Sequence, residues 1–262
     1  MKRMLLAGTA VILGGQALAA SPGVGARWNG CYIGAHAGAG WGSAGITEPI
    51  EPLFQYFAPA GTAIDVDTGA GFIGGVQVGC DRQFVNNWVV GAAGDWSWAD
   101  IEGQAADPFF AGKSGGPILL NAKTEWMATL TGRVGYAWDR WLVYGKGGAA
   151  WGRHKFSIEN LTFWGNPTIE FCATGGPVLP CNPSGSVTRV GWMAGFGVEW
   201  AVAGNWTAAL EYDHYDFGSH SVTLTDPNGV SGAPASGPVD VKNRIDAVTF
   251  SVNYRFTSLA AP

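Results

Sequence analysis

The sequence predicts an all-β fold, an eight-stranded antiparallel up-and-down transmembrane β-barrel with short periplasmic turns and long extracellular loops. Three observations predict it. The first is alternation. Near the end of the chain Val248, Phe250, Val252, Tyr254 and Phe256 fall on one face. Ala247, Thr249, Ser251, Asn253 and Arg255 fall on the other. A period of two is a strand, because successive side chains point to opposite sides. The second is the pattern of connections. Three short turns alternate with four long loops, which sorts them to two ends as in an outer-membrane barrel. The third is two bands of aromatics. Trp88, Trp138, Trp141, Trp200, Trp206 and Tyr254 lie toward the turn end. Trp41, Trp96, Trp98, Trp126, Trp151 and Trp192 lie toward the loop end. Such girdles mark two bilayer interfaces. A lipocalin-like soluble barrel is the competing architecture. It would turn its apolar faces inward around a ligand, with no need to hide so many charges on the opposite face.

The chain opens with Lys2 and Arg3, an apolar run over about 4–13, and the small-residue site Ala17-Leu18-Ala19. That is a secretory signal peptide over residues 1–19, cut after Ala19. A linker over 20–29 precedes a barrel over 30–256, and a short tail over 257–262 ends the chain. Without the leader, 13 basic residues face 20 acidic ones, a formal net charge of −7. That balance argues against nucleic acid as a partner. Charged residues are only 13% and Gly is 41 of 262, which suits close-packed strands in lipid rather than a soluble domain.

The strands are expected at about 31–42, 71–83, 88–101, 123–138, 141–156, 187–202, 206–217 and 244–256. In the fourth, Trp126, Ala128, Leu130, Val134, Tyr136 and Trp138 oppose Glu125, Thr129, Thr131 and Arg133. In the sixth, Val190, Trp192, Ala194, Phe196, Val198 and Trp200 oppose Arg189 and Glu199. Val85-Asn86-Asn87, Asp139-Arg140 and Ala203-Gly204-Asn205 are the turns. The long loops run over about 43–67, 102–122, 157–186 and 218–243.

Four cysteines suit an exported chain. Cys172 and Cys181 share one Pro/Gly-rich loop and are expected to staple it. Cys31 and Cys80 flank the first hairpin, and either face each other across it or stand as two free lipid-facing thiols. Zinc is not expected, because no paired C-x-x-C or His spacing completes a site. Gly69 to Gly74 fits G-x-G-x-x-G, but a strand follows it where a dinucleotide site needs a helix. Asp65-Val66-Asp67 lacks the remaining ligands of a calcium loop.

The charges expected in the lumen are Asp95, Glu125, Arg133, Lys146, Arg189, Glu199, Glu211, Asp213 and Arg255. An eight-stranded barrel has an interior just wide enough for side chains to fill, and an unpaired buried charge costs several kcal/mol. A salt-bridge plug is therefore expected, and a narrow ion-sized path is the functional alternative. Two Ser/His clusters, the first with an acid, invite a lipid-modifying reading: His154, Ser157 and Glu159, and His214, Ser219 and His220. Neither forms a motif, and rim residues are the plainer reading. No catalytic residue, metal or cofactor is assigned.

Trp28-Asn29-Gly30-Cys31-Tyr32-Ile33-Gly34, the Gly-rich strand around Phe72 and Gly79, Trp141-Leu142-Val143-Tyr144-Gly145-Lys146-Gly147-Gly148, Leu210-Glu211-Tyr212-Asp213 and terminal Tyr254-Arg255-Phe256 occur in this order. Together they resemble the small alphaproteobacterial outer-membrane β-barrel proteins, which include outer-membrane immunogenic and hemin-binding proteins and are filed as porin-family or OmpA-like barrels. The resemblance covers nearly the whole mature chain. It implies an outer-membrane surface protein, seated among membrane lipids and lipopolysaccharide, with hemin as an alternative ligand. It also implies that Tyr254 and Phe256 belong to the signal read by the barrel-assembly machinery. The chain departs from the family at Cys31 and Cys80, where aromatics are usual, and in its tail beyond Phe256.

Overall fold

The computed structural model describes residues 28–47, 63–106, 119–159, 184–224 and 238–256. The leader, the tail and the Cys172/Cys181 pair lie outside these residues. Eight strands follow one another: β1 (Gly30–Thr47), β2 (Ala63–Gln83), β3 (Trp88–Ala106), β4 (Leu119–Trp138), β5 (Trp141–Glu159), β6 (Ser184–Ala203), β7 (Trp206–Thr223) and β8 (Pro238–Arg255). Each pairs antiparallel with its neighbours, and β1 closes on β8 through Tyr32 opposite Arg255 and Trp41 opposite Asp246. Closure removes the sheet edges, which no strand can leave unpaired in hydrocarbon.

The short turns carry the residues that such turns need. Asn87, Asp139 and Gly204 have φ of 67°, 51° and 55°, a region that Asn, Asp and Gly enter most easily. Phe72, Leu130, Val143, Phe196, Leu210 and Phe250 point outward and are each more than half exposed. Lipid covers them in the membrane. Ring pairs mark the two interfaces. Trp141 stacks on Trp200 at 5.8 Å near the turns, and Trp96 stacks on Trp126 at 4.5 Å near the loops.

The strands run farther toward the loops than the sequence predicts. Several residues at each end of the expected loops are sheet. Two physical causes hide them. Above the outer girdle the polarity inverts: Ile46, Val66, Leu120, Phe156, Val222 and Val241 face inward as a second apolar core. Bulges also shift the inward–outward phase at this level. The pairings slip between Gly40 and Gly42 of β1, Trp98 and Ile101 of β3, Thr124 and Trp126 of β4, and Asp216 and Ser219 of β7. An extra residue breaks the alternation on its strand, and here β2, β4 and β7 change phase while β1 and β3 keep theirs. This taller barrel carries an outward-facing polar collar above the membrane.

Candidate functional site

The lumen is filled in layers, two ionic ones toward the turns and apolar ones toward the loops. At the turn end Arg133 and Arg255 face Asp81 and Glu199. Arg133 Nε donates to Asp81 Oδ1 at 2.7 Å and Nη1 to Glu199 Oε2 at 3.2 Å. Arg255 Nη1 donates to Asp81 Oδ2 at 2.8 Å and Nη2 to both Glu199 oxygens at 3.0 and 3.1 Å. Two guanidiniums therefore share two carboxylates, and the charges balance. Aromatic faces complete the shell. Arg133 lies over the Tyr32 and Tyr144 rings, and Arg255 over Trp28 and Tyr32, all at 4.8–4.9 Å. Trp28 is buried and closes the layer from the periplasmic side. Its backbone N–H donates to Gln83 Oε1 at 2.9 Å. Gly91 leaves room for the Asp81 carboxylate, since a Cβ there would strike it.

One layer toward the loops, Lys146 Nζ sits 3.0 Å from both Glu211 Oε2 and Asp213 Oδ2. Tyr144 donates its hydroxyl to Glu211 and Thr129 to Asp95. His36 Nε2 meets Ser97 Oγ at 2.8 Å, and Ser97 reaches Asp95. A residual space of about 10 Å³ remains among these groups, at most room for one water. Among the described residues, Asp213 Oδ1 and His36 Nδ1 have no partner at hydrogen-bond geometry.

Above this lies an apolar layer of Ile73, Ile101, Met127, Met193, Phe217 and Ile245. Next comes His154, whose Nδ1 meets Thr124 Oγ1 at 3.0 Å and Asn243 Nδ2 at 2.7 Å, with its ring against Phe217. The apolar core of the collar follows, with Phe156 and Leu224 among its members.

Of the nine charges expected in the lumen, Asp95, Arg133, Lys146, Glu199, Glu211, Asp213 and Arg255 point into it. Glu125 does not. The β4 bulge at this residue turns it outward, where it pairs with Arg153 at 2.9 Å. Arg189 faces inward as well, opposite Gly152 of β5 and in phase with Met193, but it stands apart from the ion network. Its strand is already above the girdle, and its Nη2 donates to the Ser221 carbonyl at 3.0 Å. The sequence reading missed Asp81, a hub of the turn-end layer. Two signals were available: its inward phase with Gln77 and Gly79, and the need for an acid opposite Arg133 and Arg255.

Cys31 and Cys80 are directly paired across β1 and β2 and form a disulfide, which excludes the free-thiol alternative. Tyr254 and Phe256 sit edge to face at 5.4 Å on the outer surface, and the Phe256 N–H donates to the Cys31 carbonyl at 2.8 Å. Neither Ser/His cluster is assembled. His154 faces the lumen while Ser157 and Glu159 face outward, as the period of two requires. His214 faces outward and is held by Asp246 at 2.7 Å rather than by Ser219. Asp246 also accepts from Tyr212 at 2.7 Å. Among the described residues no group of three or more His, Cys, Asp or Glu is arranged to hold a metal ion.

On the outer face of the collar β3, β4 and β5 present a polar surface. Lys123 Nζ lies 2.5 Å from Asp100 and 3.3 Å from Glu102. Those hydrogen bonds, with Asp100 first, hold the exposed ammonium above the ordinary lysine value.

Comparison with known proteins agrees with this architecture. The family described as "Outer membrane protein beta-barrel domain" matches residues 7–256. The chain is 31% identical over 231 residues to the 31 kDa outer-membrane immunogenic protein of Brucella melitensis, covering 87% of this chain and 84% of the relative. The protein of the same name from Brucella suis gives the same values. Among solved structures, the outer membrane protein OprG from Pseudomonas aeruginosa has a TM-score of 0.48 at 10% identity, covering 88% of this chain and 98% of that one. This protein resides in the outer membrane, among its lipids. The chain belongs to the outer-membrane protein β-barrel domain family.

Proposed function

We propose that this protein is a sealed surface barrel. Its work is structural and interfacial: it packs among outer-membrane lipids and lipopolysaccharide and holds four long connections at the cell surface. It transforms no substrate. The observation that carries this reading is the layered filling of the lumen. An ion entering from the turn end meets a balanced cluster of paired charges and then apolar side chains, and one entering from the loop end meets the apolar core of the collar first. Leaving water for an apolar layer costs a charge many kcal/mol, so the layers act in series as barriers. The exposed Tyr254–Phe256 pair at the end of β8 supports a role as the mark read by the barrel-assembly machinery. The hemin reading is not advanced: His154, like His36, is enclosed in the lumen, the outward His214 is held by Asp246, and the His220 Nε2 is buried.

Single-channel recording from the refolded protein in a planar bilayer tests the proposal. Folding is first confirmed by heat-dependent migration on a cold SDS gel. The expected result is electrical silence from folded protein. Discrete, reproducible current steps would overturn the proposal.

A further inference from the structure

The collar carries a feature that a sealed barrel does not need. Lys123 of β4 and Lys155 of β5 are directly opposed in the strand register and both point outward. Like charges opposite each other destabilise a sheet. Asp100 and Glu102 approach Lys123 from the β3 side. Among the described residues, no carboxylate lies within ion-pair distance of Lys155. The row above continues as Gln104, Asn121 and Ser157, in register across the same three strands. Gln104 Nε2 donates to Asn121 Oδ1 at 2.8 Å, and Asn121 Nδ2 to Ser157 Oγ at 3.4 Å. Together these residues line a concavity of about 470 Å³ on the outer wall, flanked by Glu102 and Glu159.

Position identifies the occupant. Lys123 and Lys155 stand three and four residues beyond Trp126 and Trp151 of the outer girdle, about 10–13 Å along strands that are themselves tilted. The loop end of the barrel faces outside, so this is the headgroup zone of the outer leaflet. Asp100, Glu102 and Glu159 outnumber the two lysines here, and Lys155, the cation without an ion-pair partner among the described residues, is the group open to an anion. The flanking carboxylates disfavour a bare anion but accept hydrogen bonds from sugar hydroxyls. The amides and Ser157 add donors and acceptors of the kind a saccharide uses.

We propose that this concavity is a lateral binding site for the phosphorylated sugar headgroup of an outer-leaflet glycolipid, with phosphate on Lys123 and Lys155 and hydroxyls on Asn121, Ser157 and the flanking acids. The site deepens the interfacial role proposed above. It needs the orientation of the barrel but not the sealing of its lumen, so lipid titration and conductance fail independently.

The experiment is a titration of the folded protein in dodecylmaltoside micelles with a bis-phosphorylated glucosamine-disaccharide lipid. The dephosphorylated lipid, phosphatidylglycerol and inorganic phosphate serve as separate probes. Saturable binding is expected for the bis-phosphorylated lipid alone. Lys123→Gln with Lys155→Gln should weaken it by about tenfold or more, two lysine charges being lost at a lipid headgroup. Lys242→Gln, on the outward face of β8, should leave it unchanged. Heat-dependent gel migration confirms that each variant is folded, and Lys155→Gln alone provides a milder variant. No saturable binding, equal binding by the double variant, or equal affinity for phosphatidylglycerol or inorganic phosphate would overturn the site.

Discussion

Below the outer girdle β5 sends Val143 and Trp151 outward and Lys146 inward. Above it the same strand sends Arg153 and Lys155 outward and Phe156 and Ile158 inward. One strand thus belongs to two proteins, a membrane barrel below and a water-facing barrel above. The difference teaches what sets the direction of a side chain here. The backbone alternates throughout, and the solvent outside decides which residue type belongs on which face. Where lipid is outside, apolar groups go out and charges must find partners within. Where water is outside, the usual burial of apolar groups returns.

The interactions differ as well. The lumen pairs of the membrane zone are enclosed, with Asp81 and Glu199 side chains at 0% exposure in their pairs with Arg133 and Arg255. The collar pair Glu125–Arg153 is 38% and 46% exposed. Enclosed pairs leave a bare charge when one partner is lost, whereas exposed pairs hand it to water.

The largest expected effect is therefore at the turn-end layer. Arg133→Ala leaves Asp81 and Glu199 under-compensated and should cost about 3–5 kcal/mol, read by urea unfolding from lipid vesicles. A loss below about 1 kcal/mol would show that water reaches this layer. Next is Leu130→Arg, which puts a cation on the lipid face below the girdle. It should cost roughly 2–4 kcal/mol in the same assay, while Gln104→Arg in the collar should be near neutral. Equal costs would erase the boundary between the two zones.

Replacing Cys31 and Cys80 together by Ser removes a cross-link between β1 and β2 and should cost up to about 2–4 kcal/mol. Adding reductant to the unaltered protein during unfolding should reproduce that loss. The smallest effect is expected for Glu125→Gln, at most about 1 kcal/mol and diminished by salt. A salt-independent loss would place Glu125 in the lumen after all.

Much of the membrane zone was legible in the sequence, because lipid enforces a simple rule over consecutive residues. Leu130, Val134 and Tyr136 against Thr129, Thr131 and Arg133 spell out one strand and both its faces. The collar was not legible for the opposite reason. In β4 the apolar residues Leu120 and Ala122 occupy even positions and face inward, while just below them Trp126 and Ala128 occupy even positions and face outward. The bulge at Glu125 joins the two phases, and a rule that expects one polarity reads the upper part as loop. Glu125 itself was misplaced by the same bulge. Asp81 was missed because its strand is rich in glycine, so its inward face presents few polar neighbours to count. The Lys123–Lys155 pair was invisible for another reason: opposition across strands depends on register, which the bulge alters by one residue.

The most direct measurement is a nitroxide scan along β5, with single cysteines introduced from residue 143 to 159 after Cys172 and Cys181 are changed to Ser. Accessibility to oxygen, which concentrates in lipid, is compared with accessibility to a water-soluble nickel chelate. Odd positions should favour oxygen up to 151 and the chelate from 153 onward, while even positions from 144 to 156 should reach neither. Chelate access at 146 or 150 would contradict a filled lumen, and oxygen preference at 155 or 157 would contradict a barrel that changes faces at its outer girdle.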